Sequence, residues 1–217
     1  MWGCGGRRTL FLVRISCAAL MALAITFAYT GNGRAETQSQ NDSEMAPLTF
    51  GGPFALVDHT GRAVTDVDFR GSYLLVFFGY THCPDICPTG LSTMAVAMDL
   101  LGEAAERVQP IFISVDPERD TAEVLADYVS LFHPRLVGLT GTPKQVHDAA
   151  KAYHVIYTIT EYKGEILVGH TADTYLVGPD GAYIENFAHE TAPEDIAVGI
   201  RRAMDENNLK KRQEATQ

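Results

Sequence analysis

The sequence predicts an α/β fold, a single domain whose central mixed sheet is flanked by helices, following an N-terminal export or anchor segment. Three observations carry this reading. Tyr73-Leu74-Leu75-Val76-Phe77-Phe78 is continuously apolar, the mark of a strand buried on both faces. Stretches of helical period separate this run from further strand-like runs, and strand–helix–strand connections imply right-handed crossovers and parallel pairing. Late in the chain, Gly178-Pro179-Asp180-Gly181 is a strong turn signal between two strands, so antiparallel strands join the sheet.

In chain order, Phe54 to Asp58 and the stretch around Val64 flank His59-Thr60-Gly61-Arg62, a hairpin turn. The buried strand at Tyr73–Phe78 follows. Leu91, Met94, Ala95, Met98 and Leu101 recur at helical spacing. Val108 to Val115 is a second buried strand, and Thr121 opens a helix through Phe132. Leu136–Leu139 is a short strand. Thr142-Pro143 caps and starts a helix that ends near Tyr153. Val155–Glu161 and Glu165–Val168 are strands around Lys163-Gly164. Thr174–Val177 and Ala182–Phe187 form the late hairpin, and a last helix spans Pro193–Asn207. The order is a hairpin, then β-α-β-α-β-α, then a hairpin and a helix. That is a thioredoxin-like plan.

Composition limits the function. With 46% apolar and 20% charged residues the chain is not disordered as a whole. Its net charge is −10, unevenly placed. Four of the 17 basic residues and none of the 27 acidic ones lie in residues 1–35, which leaves −14 on residues 36–217. So acidic a surface repels phosphate backbones and argues against nucleic-acid binding.

Residues 1–35 form a signal peptide or membrane anchor. A basic start to Arg14 precedes 15 uncharged residues from Ile15 to Tyr29, then the small and polar Thr30–Ala35. Leu10 to Tyr29 is 20 residues long, interrupted only by Arg14, which is enough to span a bilayer. The arginines before the run keep the N-terminus inside and place the rest on the periplasmic face of the cytoplasmic membrane. Arg7-Arg8 is a loose twin-arginine feature, and Cys4 and Cys17 are passengers of this segment. Residues 36–46 are a polar tether, 47–207 the folded domain and 208–217 a polar tail.

The exported part therefore holds two cysteines, Cys83 and Cys87, in Gly79-Tyr80-Thr81-His82-Cys83-Pro84-Asp85-Ile86-Cys87-Pro88. This segment follows the first long strand and opens a helix, where sites of open α/β sheets form. The helix N-terminus lowers a thiol pKa. Near-helical spacing from 83 to 87 puts both sulfurs on one side and leaves room for an ion. Two thiolates select a soft ion such as copper(I), which takes two or three ligands. Of seven histidines, His170, in the Gly169-His170-Thr171 loop before Thr174–Val177, is the candidate third ligand. His82 adjoins the pair, but neighbouring side chains commonly point apart. Zinc, needing four ligands, would call on His82 or Asp85 as well. A structural disulfide and a metal-free redox couple remain open.

The chain resembles the Sco/SenC family of copper-binding, thioredoxin-like proteins. The residues that carry the likeness are Gly79 to Pro88, Ser114-Val115-Asp116-Pro117-Glu118-Arg119-Asp120-Thr121, Leu136 to Gly141 and Tyr175 to Gly181. They run in order through roughly residues 50–205. The resemblance implies a membrane-associated metallochaperone that delivers copper to the dinuclear copper centre of respiratory oxidase subunit II. It implies copper ligation by Cys83, Cys87 and His170. One departure is Gly169, where family members often carry Asp. The alternative is a thiol-disulfide oxidoreductase that uses Cys83 and Cys87 to reduce the acceptor's cysteines, fed in turn by a thiol reductant. A peroxidase would need a Thr and an Arg beside its cysteine. Thr81 is near, but no arginine has an evident place there.

Overall fold

The computed structural model describes residues 51–162 and 165–216, with side chains 162–167 left aside. The segments read as signal or anchor (1–35) and tether (36–46) lie outside the described residues. Among the described residues no helix is long and apolar enough to cross a membrane.

Among the described residues, nine strands and four α-helices alternate much as the apolar pattern predicts: β1 (Ala55–Asp58), β2 (Ala63–Thr65), β3 (Tyr73–Gly79), α1 (Ile86–Leu101), β4 (Val108–Ser114), α2 (Ala122–Ser130), β5 (Val137–Thr140), α3 (Pro143–Ala152), β6 (Tyr157–Tyr162), β7 (Glu165–His170), β8 (Thr174–Val177), β9 (Tyr183–Phe187) and α4 (Pro193–Glu214). Seven strands form one mixed sheet in the order β2-β1-β5-β4-β3-β8-β9. Strands β3, β4 and β5 are parallel, as helix-bearing crossovers require, while β1 and β8 join antiparallel on either side. All seven residues of β3 are buried, which explains its unbroken apolar run.

Helix α1 begins at Ile86, within the cysteine segment read as opening a helix and ahead of the Leu91–Leu101 period, because Pro88 is tolerated in a first turn whose N–H groups have no helical partner. Three boundaries differ from the sequence reading. Helix α4 runs through Glu214, so the last residues are not a frayed tail from 208. Lys and Gln there are good helix formers, and Lys211 and Arg212 complement the negative end of the helix. Strands β6 and β7 do not enter the main sheet but pair only with each other. Finally, His170 is the last residue of β7, opposite Tyr157, rather than part of a loop. A hydrogen bond from Thr171 N–H to the Ile156 carbonyl, 2.9 Å, carries the pairing past that point.

The core lies on β3 and β4. The Phe78 ring packs 5.3 Å from Tyr153 and edge-on to Tyr175 at 6.2 Å. Helix α3, which supplies Tyr153 just past its end, is set by a reciprocal cap between Thr142 and Gln145 with Pro143 at its first position. Removing the Phe78 ring leaves a cavity beneath two other aromatic rings. Phe78→Ala is expected to lower unfolding free energy by about 3–5 kcal/mol, measured by urea denaturation.

Candidate metal centre

Strands β3 and β4 end side by side, with Gly79 opposite Ser114. The chain leaving each end is held by one carboxylate. Asp120, fully buried, accepts hydrogen bonds from Thr81 N–H (3.0 Å), Thr81 Oγ1 (2.6 Å) and Ser114 Oγ (2.6 Å). Ser114 Oγ in turn accepts from Asp116 N–H at 3.0 Å. These three bonds tie the two strand ends together and fix where Tyr80-Thr81-His82 leads into Cys83.

Cys83 and Cys87 are free thiols, the first half-buried and the second wholly buried. Cys83 is not itself helical; it stands two residues before Asp85, the residue that precedes α1. The sulfurs nonetheless lie together, because Cys83 Sγ accepts the Cys87 N–H at 3.4 Å. The Asp85 side chain makes no cap, so the sulfur takes up a free N–H of the first turn. Burial pushes the Cys83 thiol up, but backbone N–H groups of Asp85, Cys87 and Ile86 and the Cys87 side chain bring it below the ordinary range. Cys87 goes the other way. Burial drives its thiol well above the ordinary range against a backbone hydrogen bond from Tyr80, and Cys83 and Asp120 add repulsion.

The space for Cys87 comes from Gly79. A Cβ there would lie 2.7 Å from Cys87 Sγ and 2.9 Å from the Phe112 ring. Any side chain at 79 would displace the sulfur.

His170 completes the cluster. Its Nε2 lies 3.3 Å from Cys87 Sγ, and its Nδ1 lies 2.9 Å from the Thr171 carbonyl. A carbonyl only accepts, so Nδ1 carries the proton and Nε2 presents its lone pair to the sulfur. Phe77 and Tyr80 hold the ring edge-on, with centroids 6.1 and 6.0 Å away. Burial lowers its pKa, against the Thr171 hydrogen bond, so the ring is kept neutral. The donor atoms of Cys83, Cys87 and His170 all lie within 4.8 Å of one another, and this is the metal-capable group of three or more such residues among the described residues. Two thiols and a neutral imidazole, with no carboxylate, form a soft donor set.

Four of the other histidines turn away from the cluster. His59 and His133 accept backbone N–H groups through Nδ1 at 3.1 Å each. His147 packs against Tyr157. His82 is half-exposed and turns Nδ1 to Thr81 Oγ1 at 3.1 Å, on the Asp120 side. Neither it nor Asp85 belongs to the cluster, which leaves zinc without the donors the sequence reading required. Arg119 pairs with buried Asp116, and its charge bears on Tyr80. Its guanidinium is taken up by that carboxylate. Sequence reasoning missed Gly79 and the clamp role of Asp120; a glycine closing an apolar strand was the available signal for the first.

The SCO1/SenC family model matches residues 42–205. The chain belongs to the SCO1/SenC family. It is 40% identical over 194 residues to the human mitochondrial SCO1 homolog, covering 82% of this chain but 64% of that protein. It is 38% identical over 195 residues to SenC of Rhodobacter capsulatus, covering 84% and 88% of the two chains. Among solved structures it resembles copper-bound ScoI of Bradyrhizobium japonicum (42% identity, TM-score 0.66, 70% of this chain and 98% of that one). Copper-bound ScoI of Arabidopsis thaliana is similar (38% identity, TM-score 0.69, 72% and 99%). The fold is the thioredoxin-like one of these Sco structures.

The thiol asymmetry has a direct chemical readout. With limiting iodoacetamide at neutral pH, Cys83 is expected to be alkylated at least about tenfold faster than Cys87, because the thiolate is the nucleophile and Cys87 is buried and protonated. Peptide mass spectrometry measures the ratio, and equal labelling would contradict the assigned asymmetry.

Proposed function

We propose that this protein is a copper metallochaperone that carries copper(I) on Cys83 Sγ, Cys87 Sγ and His170 Nε2. Its acceptor is the dinuclear copper centre of a respiratory oxidase subunit II. The observation that carries the reading is the convergence of two thiols and one neutral imidazole at the end of β3. It is supported by 42% identity to a ScoI solved with copper bound. Residues 1–35 export or anchor the chain, residues 36–46 tether it, and the domain from residue 47 works at the periplasmic face of the membrane.

Each ligand contributes separately. Cys83, drawn to its thiolate by N–H groups and the more accessible of the two, meets incoming copper first. Cys87 must give up its proton as copper binds, since the ligand is the thiolate. His170 needs no proton change, because Nδ1–H is already fixed on Thr171 and Nε2 is free to donate. Three ligands satisfy copper(I) while leaving a side open to an acceptor's thiolate. Transfer then proceeds by ligand exchange without free ion. In an oxidising compartment the pair forms a disulfide, so a thiol reductant supplies two electrons and two protons before each loading.

The second reading is a thiol-disulfide oxidoreductase acting on the acceptor's cysteines. One observation favours it: a lowered, accessible Cys83 beside a raised, buried Cys87 is the arrangement of an attacking thiol and a resolving one. Copper titration of the reduced full-length protein, with disulfide reduction of an acceptor peptide measured in parallel, separates the two.

Reduced protein is expected to bind one copper(I). Cys83→Ser or Cys87→Ser should nearly abolish binding, and His170→Ala should weaken it while leaving the disulfide able to form. Unchanged affinity in both cysteine variants would refute the site, and a larger effect from His82→Ala would move the third ligand.

Affinity is also expected to rise with pH. The Cys87 proton is displaced over the whole neutral range, so the apparent constant should grow at least about tenfold per pH unit between about pH 6 and 8, more steeply wherever Cys83 is also protonated. A competition titration with a pH-insensitive copper(I) chelator measures the slope.

A further inference from the structure

His189 lies in the turn between β9 and α4, where Thr191 N–H closes on the Ala188 carbonyl at 2.9 Å. Its side chain is partly buried, and its Nδ1 is wholly buried with no hydrogen-bond partner. An unpaired buried donor or acceptor costs about 1–3 kcal/mol. The direction of this nitrogen is fixed by a glycine. A Cβ on Gly90 would lie 3.6 Å from His189 Nδ1, so the atom faces α1 at Gly90. Gly90 follows Cys87 by three residues and lies on the same side of the helix. The same position is 3.0 Å from the Phe77 ring, the ring that holds His170 edge-on. A charge on His189 also reaches His170 and disfavours its protonation. The unpartnered nitrogen therefore borders the Cys87–His170 half of the centre.

We propose that His189 is a fourth copper ligand, engaged through Nδ1 when the bound ion is copper(II). This rests on the copper reading of Cys83, Cys87 and His170. Copper(I) is satisfied by those three donors, whereas copper(II) takes a tetragonal set and favours nitrogen and oxygen. The Tyr80 hydroxyl is engaged with the Cys83 thiol. Gly169, beside His170, has no side chain, and the Asp120 carboxylate is occupied by Thr81 and Ser114. His189 is not among the donors already drawn together, so its ring swings inward from the β9–α4 turn to close the set. With no side chain at Gly90, Nδ1 approaches α1 beside the Phe77 ring. The site thus holds copper(I) with three ligands and copper(II) with four, and loss of His189 from the ion accompanies its one-electron reduction, two such ions being reduced as a dithiol reductant is oxidised to its disulfide with release of two protons.

The test uses reduced full-length protein with ¹⁵N-labelled histidine, mixed with copper(II), frozen promptly and examined by pulsed electron paramagnetic resonance. Two coordinated imidazoles are expected in the wild type and one in His189→Gln. The variant should lose about tenfold more affinity for copper(II) than for copper(I). His189→Leu, which preserves bulk, should behave alike, and thermal unfolding of both variants reports that the fold is intact. A single imidazole in the wild type, or equal losses for the two ions, would overturn the proposal. So would loss of the second nitrogen in His82→Gln rather than in His189→Gln. Copper(II) that binds independently of Cys83 and Cys87 would overturn the copper reading itself, a result distinct from a thiolate-bound ion carrying one histidine.

Discussion

The centre depends on a carboxylate that touches none of its donors. Asp120 ties Thr81, beyond the end of β3, to Ser114, at the end of β4. Parallel strands have no hairpin to link their ends, and here the two chains leave in different directions: one to the cysteines, the other to α2. Without the clamp, the three residues between Gly79 and Cys83 would keep only the turn bond from Cys83 N–H to the Tyr80 carbonyl. With it, Cys83 is delivered close enough to α1 for its sulfur to take the Cys87 N–H. The helix start, the position of one sulfur and the ends of two core strands are thus one hydrogen-bonded unit. A buried network of this kind holds only when every member is satisfied, and all of Asp120's partners are donors.

The two thiols differ because the same first turn treats them differently. Cys83 lies outside the turn, where N–H groups converge on its sulfur. Cys87 lies within it, pressed into the space that Gly79 leaves beside Phe112. Sequence proximity therefore yields one thiol stabilised as thiolate and one kept protonated. His170 responds to the second. Its fixed Nδ1–H leaves Nε2 to accept from the Cys87 S–H. The resting centre is a hydrogen-bonded pair of a protonated thiol and a neutral imidazole beside a more acidic thiol.

Much of this was legible in the sequence. The unbroken apolar run of β3, the helical spacing after Leu91 and the Thr142-Pro143 start mark elements that the structure contains. The placing of Cys83 and Cys87 beyond a strand end follows from strand–helix order alone. His170 was legible only as a histidine before a strand. That it closes a separate two-stranded sheet depends on pairing with Tyr157, which no local pattern encodes. Gly79 and Asp120 were illegible for a related reason. What matters about each is an atom far away in sequence: Cys87 Sγ for the glycine, Thr81 for the aspartate. The end of α4 was misread because exposed polar residues carry no periodic signal, although their propensity favours helix.

The separate β6–β7 sheet has a consequence for release. Cys83 and Cys87 are fixed to the main sheet through β3, α1 and the Asp120 clamp. His170 is carried by a hairpin whose strands pair only with each other, and it meets the thiols through one 3.3 Å contact and two edge-on rings. The ligand set is thus two parts stiff and one part borne independently. On the copper reading, the imidazole is the donor that can withdraw without disturbing the core, leaving a two-coordinate dithiolate that still holds copper(I). That order suits transfer to a thiolate acceptor. The first ligand lost is the neutral one, the open position appears on the hairpin side, and the sulfurs give up the ion only as the acceptor's own replace them.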